Sequence, residues 1–129
     1  MEQKTSKMNI LYVDDEATNL RIFKKTFRRD YKILTALSAK EGLEIIEKNK
    51  INLVITDQRM PEMTGLEFLK EIHSKYSNSP PDRLMISGYS DQEAIDKAFS
   101  LYNLFAFIAK PWETEHLKEM MERALTFQH

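Results

Sequence analysis

The 129-residue sequence contains no cysteine, which excludes disulfides, thiolate-bound zinc and a cysteine nucleophile, and fits a reducing compartment. Its three glycines, Gly42, Gly65 and Gly88, lie too far apart for a dinucleotide-binding or Walker-type phosphate loop. The three histidines, His73, His116 and His129, lack metal-ligand spacing, and no G-x-S-x-G nucleophile elbow exists. No apolar run approaches the roughly 20 residues that cross a membrane. The opening stretch from Met1 to Lys7 lacks the apolar core of a signal peptide, so a soluble cytoplasmic protein is expected. Neither sign of charge dominates: 19 Lys and Arg against 20 Asp and Glu leave a net charge of -1. That balance argues against a generally basic nucleic-acid binder, while allowing a local basic patch.

What the chain does contain is alternation. Five short apolar runs (Met8 to Val13, Tyr31 to Leu37, Ile51 to Thr56, Leu84 to Ser87 and Leu104 to Ala109) are mostly continuous, as strands covered on both faces read. Between them the period is helical. Leu20, Phe23 and Phe27 mark one face, as do Ala39, Leu43 and Ile46. Leu66, Leu69 and Ile72 give a third, and Ile95, Ala98, Phe99 and Tyr102 a fourth. Leu117, Met120, Met121, Ala124 and Leu125 give a fifth. Ser38/Glu41, Thr64/Glu67 and Ser90/Glu93 have the spacing of capping boxes, so three helices are expected to start there. Five strands alternating with five helices predict a parallel sheet with helices on both faces, joined by right-handed crossovers. The stretch Ser77 to Asp82 reads as the loop between the third helix and the fourth strand. The last periodic segment runs almost to His129, so no appended domain is expected within this chain.

Ligands of open α/β sheets bind beyond the carboxyl ends of the strands. The first strand is followed by Asp14-Asp15, the third by Asp57, the fourth by Ser87 and the fifth by Lys110-Pro111. Singly, each aspartate reads equally well as a cap or turn residue. Together they place three carboxylates, a hydroxyl and an amine on one edge. Carboxylates within ~5 Å of one another repel by about 3 kcal/mol per pair at an effective dielectric near 20. One lysine does not balance three anions, and oxygen-only donors point to a hard divalent ion such as Mg2+. A metal and a lysine beside an available carboxylate oxygen suit phosphoryl chemistry.

These residues resemble the receiver domain of two-component response regulators. The likeness rests on Asp14-Asp15, on Asp57-Gln58-Arg59-Met60-Pro61 with Gly65 beyond it, on Ser87-Gly88, and on Phe107 with Lys110-Pro111. It implies a doubly wound, flavodoxin-like (βα)5 fold of strand order 2-1-3-4-5, with a receiver domain over residues 8–128 and an N-terminal tail over 1–7. It further implies that Asp57 accepts a phosphoryl group from a phosphohistidine on a sensor histidine kinase or histidine phosphotransfer protein. Asp15, Asp57 and the Arg59 backbone carbonyl would ligate Mg2+, for which Mn2+ can substitute, and Asp14 would act mostly through water. Lys110 would pair with phosphoryl oxygens, aimed by a cis Lys110-Pro111 bond. Ser87 and Phe107 would be the switch pair, one moving to the phosphoryl group and the other swinging inward. The protein would then be a regulatory phospho-acceptor, catalysing only its own phosphorylation and dephosphorylation. It would signal to an output domain or downstream protein without binding nucleic acid or membrane directly.

The resemblance leaves two alternatives open. One is a phosphorelay intermediate that hands phosphate to a histidine phosphotransfer protein. The other is a Mg2+-dependent aspartyl phosphatase, although such enzymes usually carry an acid two residues after the nucleophile, where this chain has Arg59. Ser87 stands where threonine is frequent, Gly88 where alanine is, Phe107 where tyrosine is and Trp112 where phenylalanine is. Arg59 has two readings, a solvated loop charge or a guanidinium at the mouth of the acidic site that obstructs attacking water; Tyr89 is expected across that mouth. Phe99, Tyr102 and Trp112 are candidates for a contact surface on the fourth helix, fifth strand and fifth helix.

Overall fold

A computed structural model of the protein describes residues 7–88 and 91–126. The elements run β1 Asn9–Val13, α1 Ala17–Phe27, β2 Lys32–Ala36, α2 Ala39–Lys48, β3 Leu53–Thr56 and α3 Gly65–Tyr76. They continue with β4 Asp82–Ser87, α4 Gln92–Leu101, β5 Ala106–Ala109 and α5 Thr114–Thr126. The strands form one parallel sheet in the order β2-β1-β3-β4-β5, as the resemblance implied.

Strand side chains alternate between the two faces, and each face builds its own core. Ile10 and Tyr12 of β1 pack with Phe23 and Phe27 of α1 and with Leu117 and Met121 of α5. Leu11 and Val13 face the opposite way, onto Ile46 of α2, Phe68 and Leu69 of α3, and Ala98 of α4. Each fully buried side chain of this size contributes about 1.5–3 kcal/mol, so the two sandwiched layers fix the sheet between the helices.

The helix starts differ in detail from the sequence reading. Thr64 and Glu67 form the complete reciprocal box at the head of α3. At α2, Ser38 accepts from the Glu41 amide, but the Glu41 carboxylate reaches one residue further back, to the Leu37 amide. For α4 the cap is Asp91, whose carboxylate accepts from the Ala94 amide, and Ser90 lies outside the described residues. An aspartate cap combines the hydrogen bond with a favourable charge at the helix amino end. The apolar faces shift too. Phe68 is buried in α3 while Leu66 is half-buried, and Ala94 is buried in α4 while Phe99 is 44% exposed.

Candidate functional site

The strand ladder carries the reactive residues one step beyond the sheet. The Asp14 amide donates to the Ala36 carbonyl at 3.1 Å and the Asp57 amide to the Val13 carbonyl at 3.0 Å. Those bonds lock both aspartates side by side at the carboxyl ends of β1 and β3. On the other side, the Lys110 amide donates to the Ser87 carbonyl at 3.0 Å, which ties the end of β5 to that of β4. The Lys110-Pro111 bond is cis, as expected from the resemblance.

The structure brings Asp14, Asp15, Asp57 and Lys110 together. One carboxylate oxygen from each aspartate lies within 4.8 Å of the others. Lys110 Nζ donates to Asp14 Oδ2 at 3.0 Å and to Asp57 Oδ2 at 3.2 Å. Asp14 is fully buried and Asp57 nearly so, whereas Asp15 is exposed. Burial pushes the Asp57 carboxyl above its ordinary range; Lys110 and the Gln58 amide pull against that, and the Asp14 charge adds to it. Burial also works against the charge on Lys110, but its hydrogen bonds and attraction to Asp14 and Asp57 outweigh this and leave its pKa raised. The lysine is therefore a firm ammonium at neutral pH.

Asp14 is saturated. Its Oδ2 accepts from the Tyr12 hydroxyl at 2.8 Å and from Asn19 Nδ2 at 3.1 Å as well as from Lys110. Its Oδ1 accepts from the Glu16 amide at 2.9 Å. Asp57 accepts one bond at each oxygen, from the Gln58 amide and from Lys110, and Asp15 stands outside the Lys110 bridge, so three carboxylates share one ammonium and an all-oxygen donor set remains. That set could hold a hard divalent cation.

Four residues contribute beyond the roles that the sequence reading assigned. Tyr12 stands two residues before Asp14 and so points to the same face of the strand, a spacing that could have found it. Its hydroxyl is held protonated by burial and by the adjacent Asp14 charge, so its proton stays available for the bond to Asp14. Asn19 reaches back from the first turn of α1. Gln58 braces the acceptor loop, its amide bonding Asp57 Oδ1 at 2.7 Å and its side-chain oxygen accepting from the Leu66 amide at 2.8 Å. Gly65, quoted only as part of a motif, has a steric reason: a Cβ there would lie 2.3 Å from the Asp57 carbonyl oxygen. The head of α3 thus presses directly on the backbone of the acidic residue, and any side chain would displace it.

The remaining expected residues are placed as follows. Ser87 is buried at the end of β4, and Phe107 is half-buried against the core shared by α3 and α4. Arg59 is exposed and lines a shallow depression with Met60, Pro61 and Asp91. Tyr89 lies outside the described residues. Of the three aromatic surface candidates, Phe99 is exposed, Tyr102 is half-buried beside His73, and Trp112 is half-buried against Phe23 and Phe27.

The chain is similar to several known proteins. The hydrogenase transcriptional regulatory protein HoxA of Cupriavidus necator is 33% identical over 119 residues, which are 92% of this chain and 24% of HoxA. The chain thus spans about a quarter of the length of that regulator. A CheY homologue of Campylobacter jejuni, a chemotaxis protein, is 32% identical over 123 residues, 92% of each protein. Among solved structures, the signal receiver domain of an HD domain-containing protein from Pseudomonas fluorescens superposes with a TM-score of 0.89 at 27% identity, covering 95% of this chain and 98% of that one. TrrA of Thermotoga maritima, solved in complex with Mg(2+)-BeF, gives 0.78 at 27% identity over 92% and 99%. The model of the response regulator receiver domain family matches residues 10–122, and this stretch takes in every member of the acidic rim, Ser87 and Lys110. The ordering of strands, the position of the rim and these matches lead to one assignment: the chain belongs to the receiver domain family of two-component response regulators.

Proposed function

We propose that Asp57 is the phospho-acceptor of a receiver domain spanning residues 8–128 and preceded by a short tail. A phosphohistidine on a kinase or phosphotransfer protein delivers the phosphoryl group. An Asp57 carboxylate oxygen forms the new P–O bond as the P–N bond breaks, and the imidazole nitrogen keeps the electron pair and takes up a proton. Lys110, already bonded to Asp57, transfers its ammonium hydrogen bonds to phosphoryl oxygens. Asp15, Asp57 and the Arg59 carbonyl would hold Mg2+, with Asp14 acting through water, and the ion would supply neutralisation of charge on the transferring group. Mn2+ serves the same donors.

The new dianion then recruits the Ser87 hydroxyl, and Phe107 turns into the space released. That shifts the surface of α4 and β5 toward an output domain or downstream protein. The exposed Ile22 and the cleft it shares with Asn19, Lys110 and Trp112 adjoin the acceptor, a suitable seat for the histidine-bearing partner. Arg59, exposed on the loop after Asp57, modulates hydrolysis of the acyl phosphate. The protein acts in the cytoplasm as a regulator whose only chemistry is its own phosphorylation and dephosphorylation. An aspartyl phosphatase is disfavoured because Arg59 occupies the place of the second acid.

The observation that carries this reading is Lys110 bridging Asp14 and Asp57 within a cluster of three carboxylates. Incubation with acetyl phosphate and Mg2+, followed by intact-mass measurement, tests it. One added phosphoryl group is expected, absent from Asp57→Asn; an unmodified wild-type protein under these conditions would refute it.

A further inference from the structure

The opposite end of the sheet carries charge of the other sign. A groove of ≈ 1000 Å³ opens where the amino ends of β1 and β2 and the turn before β3 meet the last turn of α1. Lys7, Lys24, Arg28, Lys32 and Lys50 line it, and no carboxylate does. None of the five is in an ion pair among the described residues; Lys7 Nζ donates instead to the Arg28 carbonyl at 3.1 Å. Asp30 and Glu122 act on the nearby Tyr31 hydroxyl, but neither lines the groove. In a chain of net charge -1, five unpaired cations around one concavity form a focused positive field.

The groove is braced, and its walls are not all polar. Register sets Asn9 beside Lys32, and the Asn52 amide donates to the Asn9 carbonyl at 2.9 Å. The Asn9 amide donates to Asn52 Oδ1 at 2.8 Å, and Asn9 Nδ2 to the Lys50 carbonyl at 2.6 Å. Asn9 Oδ1 and Asn52 Nδ2 are then left as an acceptor and a donor with no partner among the described residues. Met8, Tyr31 and Ile33 supply apolar lining. A ligand matched to all of this combines several negative charges with a flat, weakly polar body that has hydrogen-bonding edges.

We propose that this groove binds a nucleoside polyphosphate, with its phosphates among the five cations and its base over the Met8, Tyr31 and Ile33 surface. The inference does not rest on the phospho-acceptor reading, since the two sites lie at opposite ends of the strands. Calorimetric titration of the whole chain, in chelator to silence the acidic rim, compares ATP, AMP and inorganic tripolyphosphate. ATP is expected to bind with Kd below about 1 mM at low salt, about tenfold tighter than either comparator, and more weakly as salt rises. The exposed pairs Lys24→Glu/Arg28→Glu and Lys32→Glu/Lys50→Glu should each lower its affinity about tenfold or more, while Asp57→Asn leaves it unchanged. No heat with ATP, equal binding of tripolyphosphate, or indifference to both charge-reversed pairs would overturn the proposal.

Discussion

Two side chains of opposite charge, Asp14 and Arg83, are both fully buried, at opposite ends of the sheet. Arg83, near the start of β4, uses every N–H it has. Nε donates to the Pro81 carbonyl, Nη1 to the Tyr102 carbonyl and His73 Nδ1, and Nη2 to the Ser77 and Ser79 carbonyls. Because arginine can only donate, His73 Nδ1 is the acceptor and its proton sits on Nε2. Burial pulls the Arg83 pKa down, with Asp82 opposing, yet the group stays charged. Its partners are neutral dipoles from three turns, so it ties the end of α3, the loop into β4 and the end of α4 into one unit. Asp14 is equally well satisfied, but one of its donors is a lysine shared with Asp57, and negative charge remains in excess. The first burial is closed and structural; the second is held short of neutrality, which leaves it able to exchange partners.

The comparison can be broken most severely at Arg83. Arg83→Met keeps bulk but strips hydrogen bonds from four carbonyls, and should cost about 3 kcal/mol or more, read as a lowered urea midpoint. A loss under about 1 kcal/mol would mean that water replaces the network without penalty. Tyr12→Phe removes one of Asp14's donors in a shape-conserving way. A loss of about 1–2 kcal/mol is expected in thermal unfolding, with the phosphorylation site still intact by mass.

Asp57→Asn has the reverse sign. The fold raises the Asp57 pKa above its ordinary 3.8, so the folded protein binds that proton more readily than the unfolded chain, and ionisation of Asp57 opposes folding. This penalty is fully present above the raised pKa and fades as pH falls toward 3.8. The variant should therefore stabilise the metal-free protein by about 1 kcal/mol at neutral pH, with the gain shrinking in a pH series toward acid. A gain that grew toward acid would contradict the assigned direction. The smallest change is Gly88→Ala. Its Cβ would meet only Lys110 Cβ, at 3.9 Å, and the Gly88 φ is not positive. Folding calorimetry should show no loss and a gain of up to about 0.5–1 kcal/mol from a stiffer unfolded chain.

Much of this was readable in the residues. The five apolar runs became the five strands to within two residues at either end, and Asp14-Asp15, Asp57 and Lys110 stand where β1, β3 and β5 stop. Alternation and capping chemistry are local, and local chemistry survives folding. The readings that shifted are those a neighbour decides. Phe68 displaced Leu66 from the centre of α3's buried face because the core of α2 and β1 reaches it from one side. At α4 the cap is Asp91, whose carboxylate accepts from the Ala94 amide. Tyr12, hidden in a run that reads as plain core, was missed because its hydroxyl matters only through what lies above it.

By itself the sequence determined the order of strands and helices, the residue types at each strand end, and the exclusion of cysteine and glycine-loop chemistry. Those follow from periodicity and composition, which need no knowledge of distant parts of the chain. Only the tertiary structure decided that Lys110 bridges Asp14 and Asp57, residues 96 and 53 positions away, that Arg83 closes three turns at once, and that five dispersed cations share one groove. Such juxtapositions depend on register and crossover packing, and Coulombic and hydrogen-bond energies act through space rather than along the chain.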